Sequence, residues 1–438
     1  MCTAAASSPI SMPDSSGTSL QRAAGVGRVL FGVNAGNAIE FYDWMAYALL
    51  VPYFGKLFFP HQNPTAVLLS SFAVFAVGSL ARPIGALVLG RYIDRHGRRA
   101  GLVLSVALMV TASFGIALLP PFAAIGILAP ALLVVLRLTQ GFALGPELGG
   151  SATYLAESAP EGCRGLFAST YQSSVALGTL AVAGLISGLH VFLDADQMTA
   201  FGWRIVFAVG GFVALSGLVL RRTLPETDLA TDDERRRRKT LSELWRDHRP
   251  AIRRIVVIAG TGNLVMYGFC SLLPSLGPTF TSISREQASH ANTIGSAVML
   301  LASPFLGLLS DRIGRVWTIR LFALGGVLAV PAMASLDGSF QSQVTAQILS
   351  VLLMSAWAAS AFAAFPEMLP LSIRAGGIAA PYGLAAAVGG GFAPMMATSL
   401  ATTGGLVAAG ALIAAVTLLA GVATIGMTET AYSPLRVR

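Results

Sequence analysis

GRYIDRHGRR, Gly90 to Arg99, is a short charge-dense loop between two long apolar runs, and GLLSDRIGRVW, Gly307 to Trp317, repeats it. Both contain Gly-x-x-x-Asp-Arg-x-Gly-Arg, and the two aspartates, Asp94 and Asp311, lie about half the chain apart. A loop repeated at that distance marks an internal duplication, in which each half supplies the same set of helices and the halves meet around a central path.

The apolar runs around these loops set the class. The chain has 438 residues, 54% hydrophobic and 11% charged, with mean hydropathy +0.70. That composition reads as an all-α, polytopic membrane protein. Backbone groups in lipid must be satisfied within their own segment, and the apolar runs are continuous rather than alternating, which excludes a transmembrane barrel. The length accommodates twelve spans of about twenty residues, six in each half. The reading divides the chain into a disordered N-terminal tail (1–26), a six-helix bundle (27–221), a linker (222–250), a second six-helix bundle (251–427) and a C-terminal tail (428–438).

Net charge +8 does not call for nucleic acid, because the arginines crowd into alternate loops. With both termini cytoplasmic, the outer loops contain only Lys56, Arg204 and Arg285 among the lysines and arginines, while the linker carries the run Arg235 to Arg238 with Lys239. This asymmetry fits a cell-membrane protein whose basic loops lie beside anionic lipid. The cysteines form no CxxC pair, no two histidines have the i, i+4 spacing of a helical zinc site, and no phosphate loop occurs. No cofactor, metal or enzymatic chemistry is therefore expected.

GNAIEFYDWMAY, Gly36 to Tyr47, places two carboxylates inside the first span. At about 1.5 Å of rise per residue, Glu40 sits roughly 18 Å beyond Arg28, near the middle of a bilayer core about 30 Å thick. Asp43 follows at i+3 and Asn37 precedes at i−3, so the three share one face. A charge at the centre of a span costs roughly 2.5 to 3.5 kcal/mol on insertion scales, so this face must meet protein or water. The bland alternative is an acid pair that neutralises arginines on other helices.

The duplicated loop, with GNAIEFYDW, ARPIGALVLGRYIDRHGRR, QGFALGPELGG and GWRIVF in the first half and GGGFAP at Gly389 to Pro394, resembles the major facilitator superfamily and, within it, the metabolite:proton symporter family. Two residues depart from the family pattern. Ala48 and Pro146 stand where glycine is usual, and Pro146 is expected to kink the fourth helix beside Glu147.

The resemblance implies a cavity lined by the first, fourth, seventh and tenth spans. Glu40, Asp43 and Glu147 are the expected proton carriers. Asn37, Arg137, Gln140, Asn263, Tyr267 and Trp357 are expected around the substrate, and Arg82 and Arg204, nearer the two faces, along its passage or at its gates. Arg137 either pairs with the buried acids or grips a substrate carboxylate. Asp94, Arg95 and Arg98, with Asp311, Arg312 and Arg315, are expected to gate, each aspartate accepting from arginines and from the N-terminal backbone of a facing helix. The implied function is proton-coupled symport by a monomer of a small organic acid, a di- or tricarboxylate or oxo-acid such as citrate or 2-oxoglutarate. Zwitterionic osmolytes such as proline or betaine are the runner-up, and a sensor that has lost transport is the third reading.

Overall fold

The computed structural model describes residues 19–96, 98–145, 147–222, 246–370, 373–433 and 435; the side chains of 19–29, 31, 93–95, 98, 99, 102, 147–149, 218–222 and 375 are outside the description. The protein is all-helical. In the first half the spans are Ser19–Phe58, Pro64–His96, Arg98–Leu118, a fourth in two pieces (Leu128–Ala143 and Glu147–Glu157), Arg164–Phe192 and Trp203–Arg222. In the second half they are Arg249–Val265 with Leu273–Phe280, Arg285–Ile313, Arg315–Gly325 continuing to Ala334, Phe340–Glu367, Arg374–Ala385 and the run Ala393–Ala423. That last run turns back at Gly405 (φ 75°, ψ 175°), so it closes the eleventh span and contains the twelfth. Glycine is suited to this turn because it lacks the Cβ that penalises positive φ.

Among the described residues, seven helical stretches are long and apolar enough to cross a membrane, among them Gly376–Ala423, which holds the eleventh and twelfth crossings together. The seventh span passes if its two arms, bent by 42°, are joined. The first span carries the acids, the third is short and the fourth is broken. These interruptions locate the functional part of the molecule, because irregular or polar backbone at membrane depth is tolerated only where protein or a cavity surrounds it.

The fourth span leaves its helix at residues 144 and 145, while Pro146, expected to kink it, lies outside the described residues. Beside the break, the second and fourth spans touch backbone to backbone. A Cβ on Gly141 would fall on the Gly78 carbonyl, one on Gly85 on the Phe142 carbonyl, and one on Gly145 against Arg82 and Ala86. Small residues at such crossings let helices approach closely where no hydrophobic force separates helix from lipid. Gly32 of the first span is not at such a crossing, since nothing lies within 4 Å of a Cβ placed on it.

The halves meet along two seams. The fifth and eighth spans touch at Gly165 and Gly307 near the loop end, and Ser187 hydrogen-bonds Ser289 (3.2 Å) and Thr293 (3.0 Å) near the other. The second and eleventh meet where Gly391 packs on Ser79 and Ala76. In the loop before the tenth span, Asp337 accepts from Ser339 N and Ser342 Oγ (both 2.8 Å), which holds its carboxyl down to about 2. The first helix begins at Ser19, within the stretch expected to be a tail, and residues 223–245 of the expected linker lie outside the described residues.

Candidate functional site

The first span carries its polar face inward. Asn37, Glu40 and Asp43 are all buried, at 3%, 5% and 1% exposure, and none of them meets lipid. Asn37 ties the first span to the fifth, donating to Ser174 Oγ (2.6 Å) and the Tyr171 carbonyl (3.3 Å). The tyrosines beside the acids are packed: Tyr42 donates to the Val206 carbonyl (3.0 Å) and Tyr47 to the Ser71 carbonyl (2.9 Å).

A cavity with about 30 Å³ of open space lies between the halves, walled by Asn37, Glu40, Phe41, Arg82, Tyr171 and Tyr382 with small residues of the fourth and eleventh spans. Arg82 is thereby placed at the centre, not nearer a face as its sequence position suggested. Pro83 follows it on the second span, and the close glycine crossing holds that helix against the fourth. The Arg82 guanidinium donates to the Tyr267 hydroxyl of the other half, at 3.5 Å, and lies 3.9 Å above the Trp44 ring.

Arg137 is fully buried but does not line this cavity. Its guanidinium rests over Trp44 (4.1 Å), Tyr47 (4.3 Å) and Phe75 (5.2 Å). Trp44 thus carries both guanidiniums, Arg82 and Arg137, against its ring. Stacking of this kind stabilises a desolvated cation by about 2 kcal/mol. The direct pairing of Arg137 with Asp43 considered from sequence is absent among the described residues. Instead Gln140 Oε1 accepts from Arg137 Nη1 (2.6 Å) while Gln140 Nε2 donates to Asp43 Oδ2 and, at 3.4 Å, to Ser113 Oγ. Gln140, expected around the substrate, is thus a bridge behind the cavity wall. Among the described residues, Asp43 Oδ1, Arg82 Nε, Arg137 Nε and Nη2 and Trp44 Nε1 meet no hydrogen-bond partner. Buried polar atoms left unpaired are uncommon and ask for an explanation.

Other expected positions fall elsewhere. Trp357 is fully buried and donates to the Ile258 carbonyl (2.7 Å), with its ring filling the space above Gly262, so it packs the tenth span on the seventh. Asn263 donates to its own helix at Ala259 O (2.9 Å). Arg204 donates to the Ala117 carbonyl (2.7 Å) and covers Trp203, an anchor between helix ends remote from the cavity. The side chains of Glu147, Asp94, Arg95 and Arg98 lie outside the described residues.

At the loop end Asp311 accepts from Gly165 N (2.7 Å) and Leu166 N (2.9 Å), the first amides of the fifth span in the opposite half. A carboxylate there meets both unpaired N–H groups and the positive end of the helix dipole. Arg315, 1% exposed, donates to Asp311 (2.9 Å), Ser310 (2.9 Å) and both oxygens of Glu367 (3.2 and 3.3 Å). Arg164 reaches Glu367 (3.5 Å) and the Ser433 carbonyl (2.8 Å). Among the described residues Arg312 contributes only its carbonyl, which accepts from Tyr432 (2.6 Å), while its side chain is exposed.

A second cross-half pair, Arg374 with Glu157 at 2.5 Å, matches the first. Sequence reading missed Glu157, Arg164, Glu367 and Arg374, although Glu-x-x-Pro-x-x-x-Arg occurs at both Glu157–Arg164 and Glu367–Arg374 and is as clear a duplication as the loops. It also missed the C-terminal segment, where Glu429 accepts from Arg315 N (2.8 Å) and Val316 N (3.1 Å), and Thr430 donates to Glu367 (2.6 Å).

Comparison with known proteins adds to this geometry. Residues 29–259 match the family model described as sugar (and other) transporter. The chain is 34% identical over 378 residues to the alpha-ketoglutarate permease of Escherichia coli K12, covering 86% of this chain and 87% of that one. It is 33% identical to a citrate-proton symporter of Salmonella typhi (86% and 88% covered) and 32% to a putative proline/betaine transporter of Staphylococcus aureus COL (86% and 83%). Among solved structures, the proton:xylose symporter XylE bound to 6-bromo-6-deoxy-D-glucose superposes with TM-score 0.76 at 19% identity, covering 94% of this chain and 98% of that one, which establishes a shared fold.

Proposed function

Because the chain belongs to the sugar (and other) transporter family, as a proton-coupled symporter of the metabolite:proton branch of the major facilitator superfamily, we propose that it carries a small organic anion, a di- or tricarboxylate or oxo-acid of the citrate or 2-oxoglutarate kind. One observation carries the reading. The Arg82 guanidinium lines the central cavity with one long tyrosine hydrogen bond and no carboxylate on it among the described residues. A planar, permanently charged donor with unmet hydrogens suits a carboxylate. The two organic-acid relatives favour the same class.

Glu40 shares the cavity wall with Arg82. An anionic substrate reaching Arg82 is repelled by ionised Glu40 and tolerated by the protonated acid, so binding of proton and anion favour one another. Asp43 lies behind this wall and is the second proton carrier. Glu147 completes the set on family resemblance. Asp311, Arg315, Arg164 and Glu367 close the cytoplasmic end while the cavity communicates with the outside, and their release opens it. The charge asymmetry of the loops supports cytoplasmic termini in a cell-membrane protein, and we read each monomer as containing a full pathway.

A second reading has its own support. Phe41, Tyr171 and Tyr382 surround Glu40, and an acid with aromatic faces opposite an arginine would also receive a zwitterion such as betaine or proline. Uptake of labelled citrate, 2-oxoglutarate, proline and betaine into proteoliposomes with an imposed proton gradient separates the two. Gradient-dependent accumulation of a carboxylate supports the anion reading. Accumulation of proline or betaine without either carboxylate replaces it.

A further inference from the structure

We infer that Gln140 is a positioning residue for proton coupling: by standing between Asp43 and Arg137 it keeps the carboxylate and the guanidinium from direct contact, so that Asp43 stays free to take up and release a proton. The inference rests on the reading of Asp43 as a proton carrier. It departs from the expectation that Gln140 touches substrate.

The geometry is specific. Gln140 is fully buried and uses both ends of its amide, one on each partner. Only one oxygen of Asp43 is engaged. The other, Oδ1, is unpaired and lies 3.1 Å from where a Cβ on Gly210 of the sixth span would stand. Arg137 likewise has Nε and Nη2 unpaired. Arg137 therefore has donors to spare and Asp43 an acceptor to spare, yet they do not meet. The Gln140 N–H itself favours ionised Asp43, but a desolvated acid in direct contact with a guanidinium loses roughly one to three pH units of proton affinity, more than one neutral amide donor takes from it.

The ionisable groups around Asp43 are few. Its own span contributes Glu40, Tyr42 and Tyr47, the fourth span Arg137, and the second span Arg82; the third span presents Ser113 and the sixth Gly210, neither of which titrates. Tyr42 and Tyr47 each donate to a backbone carbonyl, and Arg82 lies against the Trp44 ring and donates to Tyr267 rather than to Asp43. Gln140 is thus the element through which the nearest cation acts on the acid.

The test is the pH profile of gradient-driven uptake in proteoliposomes, measured with whichever substrate the protein accumulates. Gln140→Leu removes the bridge, lets Arg137 close on Asp43, and is expected to move the half-maximal pH of uptake down by about one unit. Gln140→Glu satisfies Arg137 with its own charge and repels ionised Asp43, and is expected to move the midpoint up. Opposite shifts, with substrate KM at the optimal pH changed less than threefold or so, support the assignment, because a packing defect would not reverse sign with the charge of the replacement. An unmoved midpoint in both variants, or a shift of the same sign in both, overturns it. A large rise in KM with the midpoint unmoved also overturns it and returns Gln140 to the substrate site. If Gln140→Leu does not fold, Gln140→Asn, too short to span both partners, takes its place with the same expected direction. Asp43→Asn separates the two claims. Undiminished accumulation by that variant removes Asp43 from the proton path and this inference with it, whereas lost accumulation beside unmoved Gln140 profiles overturns the inference alone.

Discussion

The buried centre and the loop end both contain charged side chains, and they are satisfied to very different degrees. At the loop end Asp311 has three donors, and Arg315 binds two carboxylates and a hydroxyl. At the centre, among the described residues, Arg137 has one hydrogen bond, Arg82 has one at 3.5 Å, and Asp43 keeps a free oxygen. A fully connected polar network holds one arrangement, whereas a partly connected one is poised for a ligand, a proton or a change of partner. On the proposed function, the contrast sets a lock at the loop end against a binding site at the centre.

The largest expected effect probes the centre. Asp43→Asn or Glu40→Gln should reduce the accumulation ratio to about 1 while leaving substrate exchange within roughly an order of magnitude, since a fixed neutral group permits cycling but carries no proton. Retained accumulation in both would show that the under-satisfied acids are structural. Arg82→Gln should raise KM by roughly 100-fold, the cost of losing a buried charge-assisted contact. A KM unchanged by that variant would take the carboxylate off Arg82.

At the loop end the expected effect is conformational. Asp311→Asn leaves buried Arg315 short of a partner at a cost of about 3 kcal/mol, so hydrogen exchange in the peptide 163–171 should rise by roughly 100-fold as the open state gains population. Unaltered exchange would mean that the lock is held by other contacts. Glu157→Gln should cost only about 1 kcal/mol, because Glu157 is a quarter exposed and water replaces part of what is lost. Smallest for transport is Trp357→Phe, which should lower thermal stability by about 1 kcal/mol through the lost indole bond and leave KM unchanged. A marked rise in KM would return Trp357 to the substrate path.

How far each region could be read from sequence follows the same division. The duplicated aspartates are local motifs with a local mechanism, and Asp311 lies against a helix N-terminus in the geometry such a motif implies. The second duplication, Glu157–Arg164 and Glu367–Arg374, was equally present but lies in connections between spans, where charge reads as solvation. Arg82 and Arg137 exchanged places relative to expectation. Depth along a helix can be counted from residue number, but the direction a side chain takes depends on which neighbour occupies each side, and Trp44 decides that here.

The chain by itself determined that this is a membrane protein of twelve helical crossings in two related halves, because hydrophobicity, continuity of apolar runs and internal repetition act locally and survive in one dimension. It also determined that Glu40 and Asp43 must avoid lipid, since the cost of a charge in hydrocarbon does not depend on the neighbours. Which arginine faces the cavity, that Gln140 separates Asp43 from Arg137, and that Glu429 and Thr430 join the lock at Arg315 and Glu367 were decided only in three dimensions. These contacts join residues far apart in the chain, and close packing rather than pattern selects among them.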